Sequence, residues 1–164
     1  MSKTSEKINT LITQQIHNEL YSHMAYLAMS AFFERGPFVG FAKRMKKQAM
    51  EEHTHAMKFF DYLIDRGNDV ILTSVTAPKT EFKSPADVFK AALAQEKSVT
   101  NSINRIYEAA QQAKDFATME MLNWFLKEQV EEEDSATEIL ERVEQCGDNE
   151  AALMLLDVEE GKKA

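Results

Sequence analysis

Residues 51–63 read EEHTHAMKFFDYL, and they place an acidic residue on the apolar face of a helical pattern. Met45, Glu52 and Phe59 are seven positions apart, and residues at this spacing lie on nearly the same side of an α-helix. His55 follows Glu52 by three positions, which brings both side chains to one face. The stretch therefore predicts a long helix that carries a Glu-x-x-His pair into a helical core.

The same helical periodicity extends in both directions from this stretch. The chain has only 5 Gly and 3 Pro in 164 residues, so few positions interrupt a helix. Breaks fall at Gly36-Pro37 and Gly67-Asn68, and capping signals fall at Ser84-Pro85, Asp115 and Asp148. We predict helices over residues 5–34, 38–66, 85–112, 116–145 and 149–159, with Asp148 as the cap of the last.

One long connection, residues 67–83, constrains the topology. Its 17 residues can reach ~56 Å when extended, whereas a helix of ~29 residues is only ~43 Å long. The joints between the first and second helices and between the third and fourth helices are too short to return along a helix, so each of these pairs is an antiparallel hairpin. The prediction is a single all-α domain over residues 1–164: a four-helix bundle of two hairpins joined by a crossover, plus a short fifth helix.

Charge and cysteine content exclude several classes of function. The formal net charge is -8, which disfavours the phosphate attraction that nucleic-acid binding depends on. No run of residues approaches the ~20 apolar positions that span a bilayer, and the N-terminal residues lack an apolar signal core. Cys146 is the single cysteine, so no intrachain disulfide can form. We expect a cytoplasmic protein with neither a nucleic-acid nor a membrane partner.

Polar residues interrupt the apolar row of every long helix near its middle. These rows are Ile12, Glu19, Tyr26 and Phe33; Met45, Glu52 and Phe59; Phe89, Glu96 and Ile103; and Leu122, Gln129 and Ala136, with Glu132 one turn after Gln129. The inward side of the first helix also includes Leu11, Ile16, Leu20 and Leu27. All four helices are thus expected to direct oxygen ligands inward.

Several buried carboxylates without a compensating cation would cost several kcal/mol per ion. No Lys or Arg occupies these rows, so a bound metal ion or shared protons are the available solutions. Oxygen donors with one imidazole suit iron, manganese or zinc better than copper(I).

Four stretches carry a family resemblance: NELYSHMAYLAMS at 18–30, EEHTHAMKFFDYL at 51–63, QEKSVTNSI at 95–103 and NWFLKEQVEEE at 123–133. With these stretches the chain resembles the bacterial non-haem ferritins over essentially its whole length. The resemblance implies a ferritin-like bundle with a di-iron centre. Glu19 would bind the first iron, Glu52 would bridge both irons, His55 would complete the first iron's ligands, and Glu96 would bind the second iron.

The same resemblance assigns supporting roles around the centre. Gln129 would be a neighbouring hydrogen-bonding group, and Tyr26 would hydrogen-bond a ligand and could donate an electron during oxygen reduction. The residues that would form an additional iron site are Glu51, Glu128, Glu131 and Glu132. Haem is not expected, because His53 stands where bacterioferritins have their haem-ligating methionine.

The implied function is iron storage with ferroxidase activity, in which dioxygen or hydrogen peroxide oxidises Fe²⁺ and the product is mineralised inside a cage of 24 identical subunits. In the family the fifth helix meets its copies at four-fold axes, and the segment corresponding to Val70–Leu72 packs in a two-fold dimer. The acids that line the three-fold channels of animal ferritins correspond to Met119 and Leu122 here, so the resemblance supplies no entry route for iron.

Other interpretations remain open at this point. The chain could be a passive cage subunit or metal buffer without fast oxidation, or a DNA-protecting mini-ferritin, although that class lacks a fifth helix. A metal-free bundle whose acids reach solvent is also possible. We expect His17, Asn18 and His23 to be ordinary surface or boundary residues, and Glu133 and Asp134 to be solvated.

Overall fold

The computed structural model describes residues 3–164. Regular structure within this range consists of five helices, which we number in chain order. They are α1 (Glu6–Glu34), α2 (Val39–Asp65), α3 (Pro85–Ala113), α4 (Phe116–Cys146) and α5 (Glu150–Lys163). The predicted fifth helix ended at residue 159, whereas α5 continues to Lys163.

Side-chain caps begin four of the five helices. Ser5, Ser84 and Asp115 accept hydrogen bonds from the amide groups three residues later, at 3.3, 3.2 and 3.2 Å. These bonds satisfy amides that have no partner inside a helix. The predicted cap of α5 was wrong: Asn149, rather than Asp148, accepts from the Ala152 amide at 3.1 Å, because the helix begins one residue later than predicted.

Contacts between helices establish the bundle topology. In α1 and α2, Ser30 bonds to Ala42 and His23 bonds to Ala49, so these helices run antiparallel. Lys90 pairs with Glu144 and Thr100 bonds to Glu133, so α3 and α4 also run antiparallel. Hydrogen bonds from the side chain at position 95 to that at 22, and from 102 to 15, show that α1 and α3 are antiparallel as well. It follows that α2 and α3 are parallel, as the long connection predicted.

The bundle interior has an apolar cluster on each side of a polar middle layer. One cluster contains Phe33, Phe41 and Phe89, and the other contains Phe59 and Phe125 among its members. Glu19, Glu52, Glu96 and Gln129 form the layer between them and are 0–3% exposed. The prediction for Leu27 was wrong, since its side chain is 38% exposed: one residue beyond Tyr26 is about 100° further around the helix.

Helix α5 packs on the beginning of α2 and on α4. The Asp157 carboxylate accepts hydrogen bonds from the amides of Gly40 at 3.0 Å and Phe41 at 2.6 Å. A Cβ atom on Gly40 would lie 1.8 Å from the Asp157 carbonyl oxygen, so this crossing requires glycine at position 40. None of the helices in residues 3–164 has the length and apolar character needed to cross a membrane.

Candidate metal centre

The polar middle layer brings together side chains from all four long helices. Glu19 from α1, Glu52 and His55 from α2, and Glu96 from α3 are between 0 and 4% exposed. Gln129 from α4 is 3% exposed. Each comes from a position in the middle of its helix, where the seven-residue spacing puts it in line with core residues of the same helix. The structure therefore places these five predicted residues in one buried layer.

Glu19, Glu52 and His55 form the tightest group in this layer. One potential ligand atom from each lies within 4.8 Å of the others, and Glu52 Oε2 is 3.7 Å from His55 Nδ1. Glu19 Oε2 and Glu52 Oε2 are buried and accept no hydrogen bond. Buried carboxylate oxygens without a partner are costly. Two such oxygens beside an imidazole nitrogen are a ligand set that fits a divalent or trivalent cation.

Glu96 has a different environment from Glu19 and Glu52. The Tyr26 hydroxyl donates to Glu96 Oε1, and Gln129 Nε2 lies 3.3 Å from Glu96 Oε2. Both carboxylate oxygens of Glu96 therefore have donors, and Glu96 lies outside the tight three-residue group. Tyr26 and Gln129 thus contact different oxygens of the same carboxylate.

The carboxylates are close enough to disturb one another's protonation. Burial, followed by the charge of Glu52, raises the pKa of Glu19 well above its ordinary value. The same two causes raise the pKa of Glu96 to about 8. Burial lowers the pKa of His55, but the nearby Glu52, Glu132 and Glu128 outweigh it and raise the pKa overall. In the absence of a cation the centre thus retains protons that a metal ion would displace.

A second acidic group adjoins the first on the side of α4. His55, Glu128 and Glu132 also place one ligand atom each within 4.8 Å of the others. Burial is the largest of the causes that raise the pKa of Glu132 to about 7. Glu51 and Glu131 line the same cleft of about 250 Å³, together with Glu128 and Glu132. The four acids predicted for an additional site therefore share one cavity next to the buried centre.

Two glutamines in and around these groups were missed by sequence reasoning. Gln48 Nε2 donates to Glu52 at 3.0 Å and to Glu132 at 2.9 Å, so it connects the two acidic groups. Gln15 is fully buried and donates to Glu19 at 2.8 Å. Each lies four residues before the acid it contacts on its own helix, and this i, i+4 spacing is the signal that could have identified both.

Fold and centre together define a class: a four-helix bundle with a buried, carboxylate-rich centre that contains one histidine. The family model described as a ferritin-like domain matches residues 9–146. The chain belongs to the ferritin family of iron-storage proteins.

Proteins with known names and structures agree with this assignment. The bacterial non-heme ferritin of Staphylococcus saprophyticus is 40% identical over 148 residues, which are 90% of this chain and 89% of that protein. The bacterial non-heme ferritin of Staphylococcus haemolyticus is 40% identical over 94% of this chain and 93% of its own length. Among solved structures, an open pore ferritin from Archaeoglobus fulgidus has a TM-score of 0.95 and 40% identity, covering 97% of this chain and 98% of that one.

Proposed function

We propose that this protein is a ferroxidase as well as an iron store, and that Glu19, Glu52, His55 and Glu96 form its di-iron centre. The observation that carries the proposal is the pair of buried, unpartnered oxygens on Glu19 and Glu52 beside His55. Iron is the substrate in this reaction. The charge of Glu52 raises the pKa of both Glu19 and Glu96, so Glu52 is near both carboxylates, which suits it to bridge two ions.

The side chains around the centre have separable tasks in the proposed reaction. The carboxylates bind Fe²⁺ and supply negative charge, which favours the higher oxidation state. Each Fe²⁺ gives one electron to dioxygen or hydrogen peroxide. Gln129 and Tyr26 orient the Glu96 carboxylate by hydrogen bonds. The Tyr26 hydroxyl contacts the Glu96 carboxylate directly, so it is also close enough to the centre to supply an electron.

We further propose that Glu51, Glu128, Glu131 and Glu132 bind iron on its way out of the centre. His55 belongs to both groups of potential ligands, so the two groups adjoin one another and an ion has only a short distance to move between them. The cleft that these acids line opens beside the end of α5 at Lys163 and Ala164. Four acids next to the site of oxidation suit the transfer of Fe³⁺ to a growing mineral, although Arg44, Lys47 and Lys163 also line the cleft.

The proposed store is a cytoplasmic cage of 24 identical subunits. Its support in this chain is apolar surface without a partner inside the subunit. Leu155 and Val158 on α5 are 74% and 52% exposed, and Ile71 and Leu72 in the crossover are 73% and 50% exposed. Apolar patches of this kind mark protein interfaces, and closed symmetric assemblies bury them.

Stopped-flow absorbance after Fe²⁺ addition tests the catalytic part of this proposal. Glu52→Ala should abolish the fast phase of oxidation, because it removes the ligand shared by both ions, and the subunits should still assemble. Glu108→Ala is the control, since Glu108 is exposed on α3. If Glu52→Ala oxidises iron as fast as the unaltered protein does, the centre is misassigned. If the unaltered protein itself shows no fast phase, the passive cage or metal buffer becomes the better interpretation.

A further inference from the structure

The chain has 4 histidines, and the centre accounts for only one of them. His55 belongs to the buried centre. His17 uses Nε2 to accept a hydrogen bond from the Thr73 amide at 2.9 Å, which ties α1 to the crossover. The remaining two, His23 and His53, lie on α1 and α2 and contact each other, with ring centres 5.6 Å apart and planes at 62°. This pair has no role in the proposed ferroxidase reaction.

The hydrogen bond of His23 determines which of its nitrogens is available. His23 Nδ1 lies 2.6 Å from the carbonyl oxygen of Ala49. A carbonyl oxygen can only accept, so Nδ1 carries the proton. In the neutral ring the lone pair is then on Nε2. Histidines that bind metals commonly have this arrangement, in which the second nitrogen donates to a carbonyl or carboxylate and holds the ring in place.

The distance between the rings is close to that of two imidazoles on one ion. With metal–nitrogen bonds of about 2.0–2.1 Å and tetrahedral angles, two such ring centres are roughly 5 Å apart. The observed separation of 5.6 Å exceeds this value by only about half an ångström. His53 is exposed and His23 is half-buried, so a small rotation of the His53 ring can align its nitrogen with His23 Nε2, and water can complete the coordination.

We propose that His23 and His53 form a separate metal site between α1 and α2, which binds a divalent transition-metal ion of the Cu²⁺ or Zn²⁺ class. Imidazole suits these ions, and Cu²⁺ binds most tightly of the divalent first-row series. This site differs in chemistry from the carboxylate-rich centre and does not depend on the ferroxidase proposal. An ion bound here would connect α1 to α2 directly outside Glu52, because His53 is the next residue.

Cu²⁺ titration of the assembled protein, prepared without a histidine tag, tests the site. Electron paramagnetic resonance at one Cu²⁺ per subunit should show coupling to two nitrogens. The buried centre offers only the His55 imidazole, so it cannot produce this signal within a subunit. His23→Ala and His53→Ala should each remove the two-nitrogen signal. Calorimetry should show that either change weakens Cu²⁺ binding roughly tenfold or more, because a single imidazole lacks the advantage of two linked donors.

His17→Ala is the matched control, since this surface histidine is already bonded to Thr73. It should keep both the two-nitrogen signal and the affinity of the unaltered protein. Circular dichroism and stopped-flow oxidation of Fe²⁺ on each variant check that the bundle is intact, and His23→Gln and His53→Gln replace any alanine variant that fails to fold. Unchanged Cu²⁺ affinity in both the His23 and the His53 variant, or coupling to fewer than two nitrogens in the unaltered protein, would overturn the proposal.

Discussion

Glu96 in the buried layer and Glu132 in the adjoining cleft hold their protons more tightly in the folded protein than in the unfolded chain. The pKa of Glu96 is raised to about 8 and that of Glu132 to about 7, with burial as the largest cause in both. In the unfolded chain both side chains have their ordinary, lower pKa values. The folded protein without metal therefore binds more protons than the unfolded chain between those ordinary values and pH 8.

Thermal unfolding of the metal-free protein should therefore depend on pH. Stability falls wherever the folded state binds more protons than the unfolded state and pH rises. We expect the Tm of the protein in a chelator to fall from pH 5 to pH 8, and saturating Zn²⁺ to remove most of this decrease. Glu96→Gln is the control, because it keeps the size of the side chain without its charge. A pH profile for Glu96→Gln as steep as that of the unaltered protein would contradict this account.

Gln48 is expected to position the acids of the two groups, because its amide donates to both Glu52 and Glu132. Gln48→Leu keeps the approximate size and removes both hydrogen bonds. Changes to groups that orient metal ligands cost about 10–100-fold in metal affinity. We expect a loss of this size for Zn²⁺ in calorimetry, while Gln112→Leu, an exposed position on α3, should bind Zn²⁺ normally. Equal Zn²⁺ affinity in the two variants would show that Gln48 has no such role.

Sequence reasoning found the acids of the centre more readily than their partners. An acid in an apolar row is conspicuous, because burying a charge without compensation is costly. A glutamine is neutral and common on helix surfaces, so Gln15 and Gln48 attract no notice unless the acid four positions later is already suspected. The contact between His23 and His53 depends on how α1 and α2 are aligned. Periodicity within one helix contains no information about that alignment.

At the scale of secondary-structure elements, α5 supplies the N-terminal cap that the residues next to the start of α2 do not provide. The residue before α2, Phe38, makes no side-chain capping bond. Asp157 instead accepts from the first amides of α2 although it is 117 positions away from Gly40. A carboxylate at this position also interacts favourably with the positive end of the helix dipole. The end of the chain thereby stabilises the beginning of a helix that carries two ligands.

Asp157→Ala should destabilise the subunit by roughly 1–3 kcal/mol, because it leaves two buried amides of α2 without an acceptor. Differential scanning calorimetry should show a lower Tm than that of the unaltered protein. Asp148→Ala is the matched control, since Asp148 is an exposed acid just before α5 and does not cap it. If the two variants unfold at the same temperature, Asp157 does not contribute to helix docking in the way described.

Local signals predicted most helix boundaries, and long-range contacts account for the later end of α5. At Ser84-Pro85 and at Asp115 the capping signal lies within four residues of the start of the helix. The sequence alone is therefore enough to predict where these two helices begin. The extension of α5 to Lys163 is different. Glu160 is 2% exposed and pairs with Arg44 and with Lys163, the latter at 2.9 Å. These contacts hold the last turn on the bundle, and the residues after 159 show no apolar pattern that would predict it.

At the scale of the whole molecule, negative charge is in excess over the chain, and acids are also concentrated in its interior. The chain has a formal net charge of -8, and three of the acids counted in it, Glu19, Glu52 and Glu96, lie in the buried layer without a fixed cation. Within residues 3–164, no Lys or Arg forms an ion pair with Glu19, Glu52 or Glu96. Such a molecule attracts cations over its surface and offers them uncompensated ligands inside, which is the physical basis of the proposed iron chemistry.

Anomalous X-ray scattering from crystals soaked anaerobically in Fe²⁺ tests this basis most directly. We predict one iron peak among Glu19, Glu52 and His55, a second peak between Glu52 and Glu96, and weaker occupancy in the cleft at Glu128 and Glu132. The element is identified by the loss of the peaks below the iron absorption edge. Iron bound only at surface acids, with the buried layer empty at full Fe²⁺ loading, would contradict the account.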